Sequence, residues 1–135
     1  MRAMSSSAVW TFDDFQPGLV LGRPAIALDA LRLAHWTAIY GSSSATPDRL
    51  PSGLLVAAMM ESYLRAVQPR PPGNIHARQG LKFSGTAKPG EELRAEVACI
   101  GKELSRERRW VTFGVTLRCG IQNVLSGEIQ TIWAR

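Results

Sequence analysis

The spacing of apolar residues changes character at two points along the chain. Over residues 30–40, "ALRLAHWTAIY", Leu33, Trp36 and Tyr40 recur at helical spacing with Ile39 beside them, which predicts a helix with one apolar face. Asp29 stands at the N-cap position, and Gly41 stands where the helix should stop. A second helix is expected over 53–67, "GLLVAAMMESYLRAV", with Ser52 as its N-cap. Leu54 to Met60 run without a polar break. A helix apolar nearly all round is expected to be buried on most sides. "QPRPPGN" (68–74) cannot continue it, because proline lacks a backbone donor and clashes with the preceding turn.

Beyond Asn74 the period becomes two. "IHARQGLKFSG" (75–85) reads as a strand and "AKPGEE" (87–92) as a turn. Leu93, Ala95, Val97 and Cys99 fall on one side of the next segment, and Val111, Phe113, Val115 and Leu117 on one side of the one after it. In the last segment Ile129, Thr131 and Trp133 stand opposite Glu128, Gln130 and Ile132. Upstream, residues 12–28 alternate short apolar runs with turn signals at Pro17-Gly18 and Gly22, and read as extended. One apolar helix followed by consecutive antiparallel strands predicts an α+β fold. A sheet wrapped around the helix covers both apolar surfaces at once. The 135 residues suit a single core, read as one domain over 12–135 after a flexible lead-in of residues 1–11.

Composition narrows the function classes. Hydrophobic content of 45% and charged content of 20% suit an ordinary soluble protein. No apolar run approaches the roughly 20 residues that span a bilayer, so no membrane partner is expected. The net charge of +5 favours anionic partners in general, among them phosphorylated small molecules. Nucleic acid is disfavoured, because the densest basic run, "KELSRERRW", alternates signs and aromatics are not interleaved with the cations. Cys99 and Cys119 have no metal-like spacing and lie in strand-like segments. They read as small buried hydrophobes in a reducing cytoplasm, with no metal or cofactor indicated.

A few polar residues stand out. Glu61 interrupts the apolar run of the second helix, and a bare carboxylate there must face a cavity, water or a cation. Arg65, one turn on, would satisfy it. Asp48 lies in a loop beside Arg49, while His35 and His76 read as structural. Arg106, Arg108 and Arg109 fall at a predicted hairpin tip. The helix start at Gly53 presents unpaired amide donors able to hold a carbonyl oxygen.

Taken in order, "FDDFQPGLVLG", "IALDALRLAHWTAIYG", "PSGLLVAAM", "LKFSGTAKPGEELRAEV" and "GIQNVLSGE" resemble the MaoC-like acyl dehydratases and R-specific enoyl-CoA hydratases from Phe12 onward. The resemblance implies a hot-dog fold that forms a homodimer or higher homo-oligomer, or a hot-dog heteromer. It further implies an acyl-CoA or acyl carrier protein (acyl-ACP) thioester as ligand, in a tunnel beside the central helix, in fatty acid metabolism. The family's catalytic loop runs Gly-Asp-x-Asn-Pro-x-His. Counted from Gly41, its Asp, Asn, Pro and His positions hold Ser42, Ser44, Ala45 and Pro47. The acid–base pair that would move a proton and activate water is therefore replaced. That points to a hydratase- or dehydratase-type protein that is catalytically altered or inactive. The resemblance assigns Ser42, Ser52, Gly53 and Leu54 to substrate binding, and Asp48 to the place of a displaced acid or base. Hot-dog thioesterases are similar over "GLLVAAMME", which makes Glu61 a base or nucleophile in a second reading. A non-catalytic binding or assembly subunit is the third.

Overall fold

The computed structural model describes residues 8–41 and 49–135. The alternating segments form six strands: β1 (Val20–Gly22), β2 (Ala25–Ala27), β3 (Ile75–Phe83), β4 (Glu92–Ser105), β5 (Arg108–Cys119) and β6 (Gln122–Trp133). They make one sheet in the order β1-β4-β5-β6-β3, with β2 also paired to β4 and every pair antiparallel. The predicted inward residues of β4, β5 and β6 are all buried. Their register stacks them: Val97 lies opposite Val115, and Val115 opposite Gly127.

Against this inner face packs α2 (Ser52–Ala66), through Leu54, Leu55, Ala58, Met59, Ser62 and Tyr63. The approach is close. A Cβ on Gly127 would run into the Met59 sulfur, and one on Gly22 would lie 3.1 Å from Ala66 Cβ. Beyond the helix, Phe15 sits edge-on to Trp133 and Phe113 at 4.9 and 5.3 Å, with Trp10 stacked on it at 5.1 Å. Trp10 is tied in further: its amide donates to the Pro69 carbonyl at 3.0 Å, and Trp133 Nε1 donates to the Trp10 carbonyl at 2.8 Å. The result is the predicted α+β architecture, an antiparallel sheet wrapped round a central helix, which is the hot-dog fold.

Three local expectations are corrected. Ser52 is not the N-cap of α2: that place belongs to Pro51, no side chain caps the helix, and Ser52 is its exposed first residue. Proline serves at a helix start because its missing donor has no intrahelical acceptor there anyway. Next, α2 is buried on one face only. Ala57, Leu64 and Arg65 are exposed, because the sheet curls round half of the helix and α1 (Ala30–Tyr40) covers the rest incompletely. Finally, α1 begins at Asp29, whose carboxylate accepts from the Arg32 amide at 2.9 Å, but buries no residue; Ile39 and Tyr40 are 73% and 68% exposed. Gly41 ends it as expected, with φ of 82° and its amide on the Thr37 carbonyl.

The hairpin between β4 and β5 turns through Arg106 and Glu107, both at positive φ, which suits the twist of two-residue hairpins. Most of the "KELSRERRW" run is therefore strand. Among the described residues no helix is long and apolar enough to cross a membrane.

Candidate functional site

The solvent side of α2 and the facing side of α1 enclose a groove of about 590 Å³. Its walls are Trp36 and Ile39 from α1; its floor is Leu54, Ala57, Met60 and Leu64 from α2. Helical periodicity explains the lining, since Leu54, Ala57 and Glu61 recur every three or four residues along one stripe of α2. The groove is mostly apolar, with its polar groups gathered at Glu61, Arg32, His35 and Arg65.

At its start, Trp36 lies over Gly53. A Cβ there would come within 2.5 Å of Trp36 Cη2 and 2.6 Å of Cζ2, so the close seat of the indole requires glycine. The Leu54 and Leu55 amides turn back to the Pro51 carbonyl at 3.0 and 3.3 Å. Those two amides are thereby satisfied; the partial positive charge of the helix N-terminus rests on the earlier amides of the first turn, Ser52 and Gly53.

At the other end, Glu61 Oε2 accepts from Arg32 at 2.7 Å. Arg65 is not its partner and instead donates to the Ala25 carbonyl at 2.9 Å. The i,i+4 pairing with Arg65 is thus overturned: contact across the two helices prevails over contact along one. With both side chains roughly a third exposed or more, this ion pair adds little stability. It does join α1 to α2 across the groove. Eight residues at the helical rise put Glu61 about 12 Å from Gly53 along the axis, so within one chain the two cannot meet at a single reacting atom.

Of the residues singled out in the sequence, Leu54 and Glu61 line the groove, Gly53 abuts it under Trp36, and Ser52 lies exposed at the helix start. Ser42, Pro47 and Asp48 lie outside the described residues. The sequence reading missed Arg32 and Trp36 as site residues and read His35 as structural. Their signal was present, because Arg32, His35 or Trp36, and Ile39 share a helical stripe turned slightly from the Leu33–Trp36–Tyr40 stripe.

Among the described residues, neither cysteine nor Tyr63 is activated as a nucleophile. Cys99 is buried, and burial raises its thiol pKa. Cys119, half-buried, donates to the Glu91 carboxylate, and that hydrogen bond, then burial, raises its thiol. Thiols held protonated are weak nucleophiles. Tyr63, against the Phe113 ring at 5.0 Å, has its hydroxyl pushed up to about 12 by burial, with Arg70 acting in the opposite sense. Among the described residues no group of three or more His, Cys, Asp or Glu could hold a metal ion.

No protein-family model and no curated protein matches this sequence. Solved structures do match. The MaoC-like dehydratase from Rhodospirillum rubrum is 16% identical, with 91% of this chain and 96% of that one covered and a TM-score of 0.70. The R-hydratase PhaJ1 from Pseudomonas aeruginosa is 20% identical, with 90% and 84% covered and a TM-score of 0.66. The fluoroacetyl-CoA-specific thioesterase FlK, solved as a mutant in complex with fluoroacetate and CoA, is 16% identical, with 87% and 94% covered and a TM-score of 0.67. What these likenesses share with the chain is its architecture: it has the hot-dog fold of the MaoC-like dehydratases and R-hydratases.

Proposed function

We propose that this chain is an acyl-thioester-binding protein of the MaoC-like hydratase and dehydratase type, with its catalysis altered or absent. The acyl chain lies in the α1–α2 groove and the thioester carbonyl at the amino end of α2. The observation that carries this reading is the groove itself: about 590 Å³, largely apolar, and running from the Trp36-covered helix start toward the Glu61–Arg32 pair. That volume falls in the range of small-molecule sites, and each buried methylene contributes about 0.8 kcal/mol. The carrier is CoA or acyl carrier protein. The loop sequence after Gly41 holds serines and proline where the resemblance asks for a carboxylate and an imidazole, so it supplies no acid–base pair for water addition.

Glu61 favours a second reading, a thioesterase, because it is a carboxylate lining the groove. The span of about 12 Å along α2 means that this chemistry would need Gly53 of one copy and Glu61 of another.

Calorimetry with a series of saturated acyl-CoAs tests the first reading. Affinity should rise with chain length until the groove fills. Ala57→Trp, which fills the groove from an exposed position, should lower affinity at least about tenfold. Absence of binding, or binding indifferent to the tryptophan, overturns it. Crotonyl-CoA should not be hydrated at an enzymatic rate. Release of free thiol from acyl-CoA that disappears in Glu61→Gln would select the thioesterase instead.

A further inference from the structure

The outer face of the sheet, turned away from α2, holds a second concavity of about 500 Å³. Strand register builds it. Gly101, Thr112, Gln130 and Arg78 form one row across β4, β5, β6 and β3. In the next row Trp110 stands between Glu103 and Ile132. Arg106 from the hairpin turn and Arg108 from the start of β5 close the end. Gly101 contributes no side chain, and nothing lies within 4 Å of where its Cβ would be, so the floor stays open.

The charge is one-sided. Arg78, Arg106 and Arg108 are exposed and form no ion pair among the described residues. Lys102 also borders the bowl, but it stands opposite the buried Val111 and its ammonium is engaged by Phe12, donating to the carbonyl at 3.1 Å and lying 4.6 Å from the ring centre. Against the three guanidinium groups stands one lining carboxylate, Glu103. Unpaired guanidinium groups converging on a bowl recognise oxyanions. A bare phosphate would use only those. The same bowl also offers the Trp110 indole, on which a flat base can stack, and Thr112 and Gln130, which can donate to and accept from its edge.

A polymer fits poorly. Farther along this face Ile100 folds over Gly114, Glu128 follows on β6, and Arg94 and Arg23 are neutralised by Glu92 and Glu96. Lys82 and Arg118 lie farther along the same face, beyond Ile100 and Glu128, so the bowl's three guanidinium groups form a separate cluster, and its volume is that of a small-molecule site.

We propose that this concavity binds a nucleoside phosphate, with the base on Trp110 and the phosphates at Arg78, Arg106 and Arg108. Free nucleotides and the nucleotide head of CoA share that chemistry. Because the site lies on the opposite face from α2, it stands independently of the acyl groove.

The full chain is titrated calorimetrically with ADP, CoA and inorganic phosphate. ADP should bind at least about tenfold tighter than phosphate, the stacked base accounting for the difference. Arg106→Gln combined with Arg108→Gln should weaken ADP about a hundredfold. Trp110→Leu should weaken ADP about tenfold and leave phosphate unchanged. Ala57→Trp should leave ADP binding intact. ADP and CoA binding alike assigns the shared nucleotide head, and ADP binding the tighter assigns a free nucleotide. If ADP binds no better than phosphate, or not at all, the proposal is overturned. It is equally overturned if a single-stranded RNA binds with affinity growing with length and ADP does not compete. Should Trp110→Leu fail to fold, Arg78→Gln at the exposed edge strand takes its place: ADP affinity falls about tenfold if the proposal holds and stays put if it does not.

Discussion

Tyr63 shows how one side chain couples packing to solution conditions. Its hydroxyl is held protonated to about 12 rather than its ordinary 10.0, because burial penalises the phenolate. In the unfolded chain it ionises near 10, so below that pH the group adds no pH dependence. Between 10 and about 12 only the unfolded state gains by losing the proton, and stability falls. Tyr63→Phe should therefore flatten the alkaline decline in urea-unfolding free energy over that window by on the order of 2 kcal/mol. An unchanged decline would place the cause elsewhere. Glu61 teaches the complementary lesson. Its oddity in an apolar run was plain in the sequence, yet its partner, Arg32, is 29 residues away and could not be read from neighbours on the same helix.

Among the elements, α2 and β6 meet through a single missing side chain. Gly127 admits the Met59 sulfur into the sheet, so Gly127→Ala should cost about 1–3 kcal/mol by overpacking. Added to Met59→Ala, the same change should cost measurably less than the sum of the two single variants, because the clash is then gone. Strict additivity in urea unfolding would refute the contact. The strands were legible because a half-buried sheet forces period two; Val111, Phe113, Val115 and Leu117 all proved buried. The first helix was legible in extent and cap but not in burial: a stripe of Leu33, Trp36 and Tyr40 shows that a helix has an apolar face, not what covers it.

At the scale of the molecule, β3 ends the sheet with all nine residues exposed, including Leu81 at 40% and Phe83 at 45% on the side that faces inward across from Gly127 and Leu125. A long edge with free main-chain groups and inward apolar residues invites a further strand. A second copy pairing through β3 would cover Leu81 and Phe83. Light scattering should then give twice the chain mass at micromolar concentration, and Leu81→Lys with Phe83→Lys should shift it to a monomer. A monomeric parent chain would sink this reading.

The order of residues was enough to show the alternation of strands and the two helices with their stops. These are local properties, set by backbone period, capping and residue chemistry. It took the folded chain to bring Arg32 and Trp36 together with Glu61 and Leu54 round one groove, and to bring scattered arginines from β3, β5 and a turn to one concavity with Trp110. Those meetings depend on which strands pair and which helix faces oppose each other, and long-range register leaves no period in the chain to read.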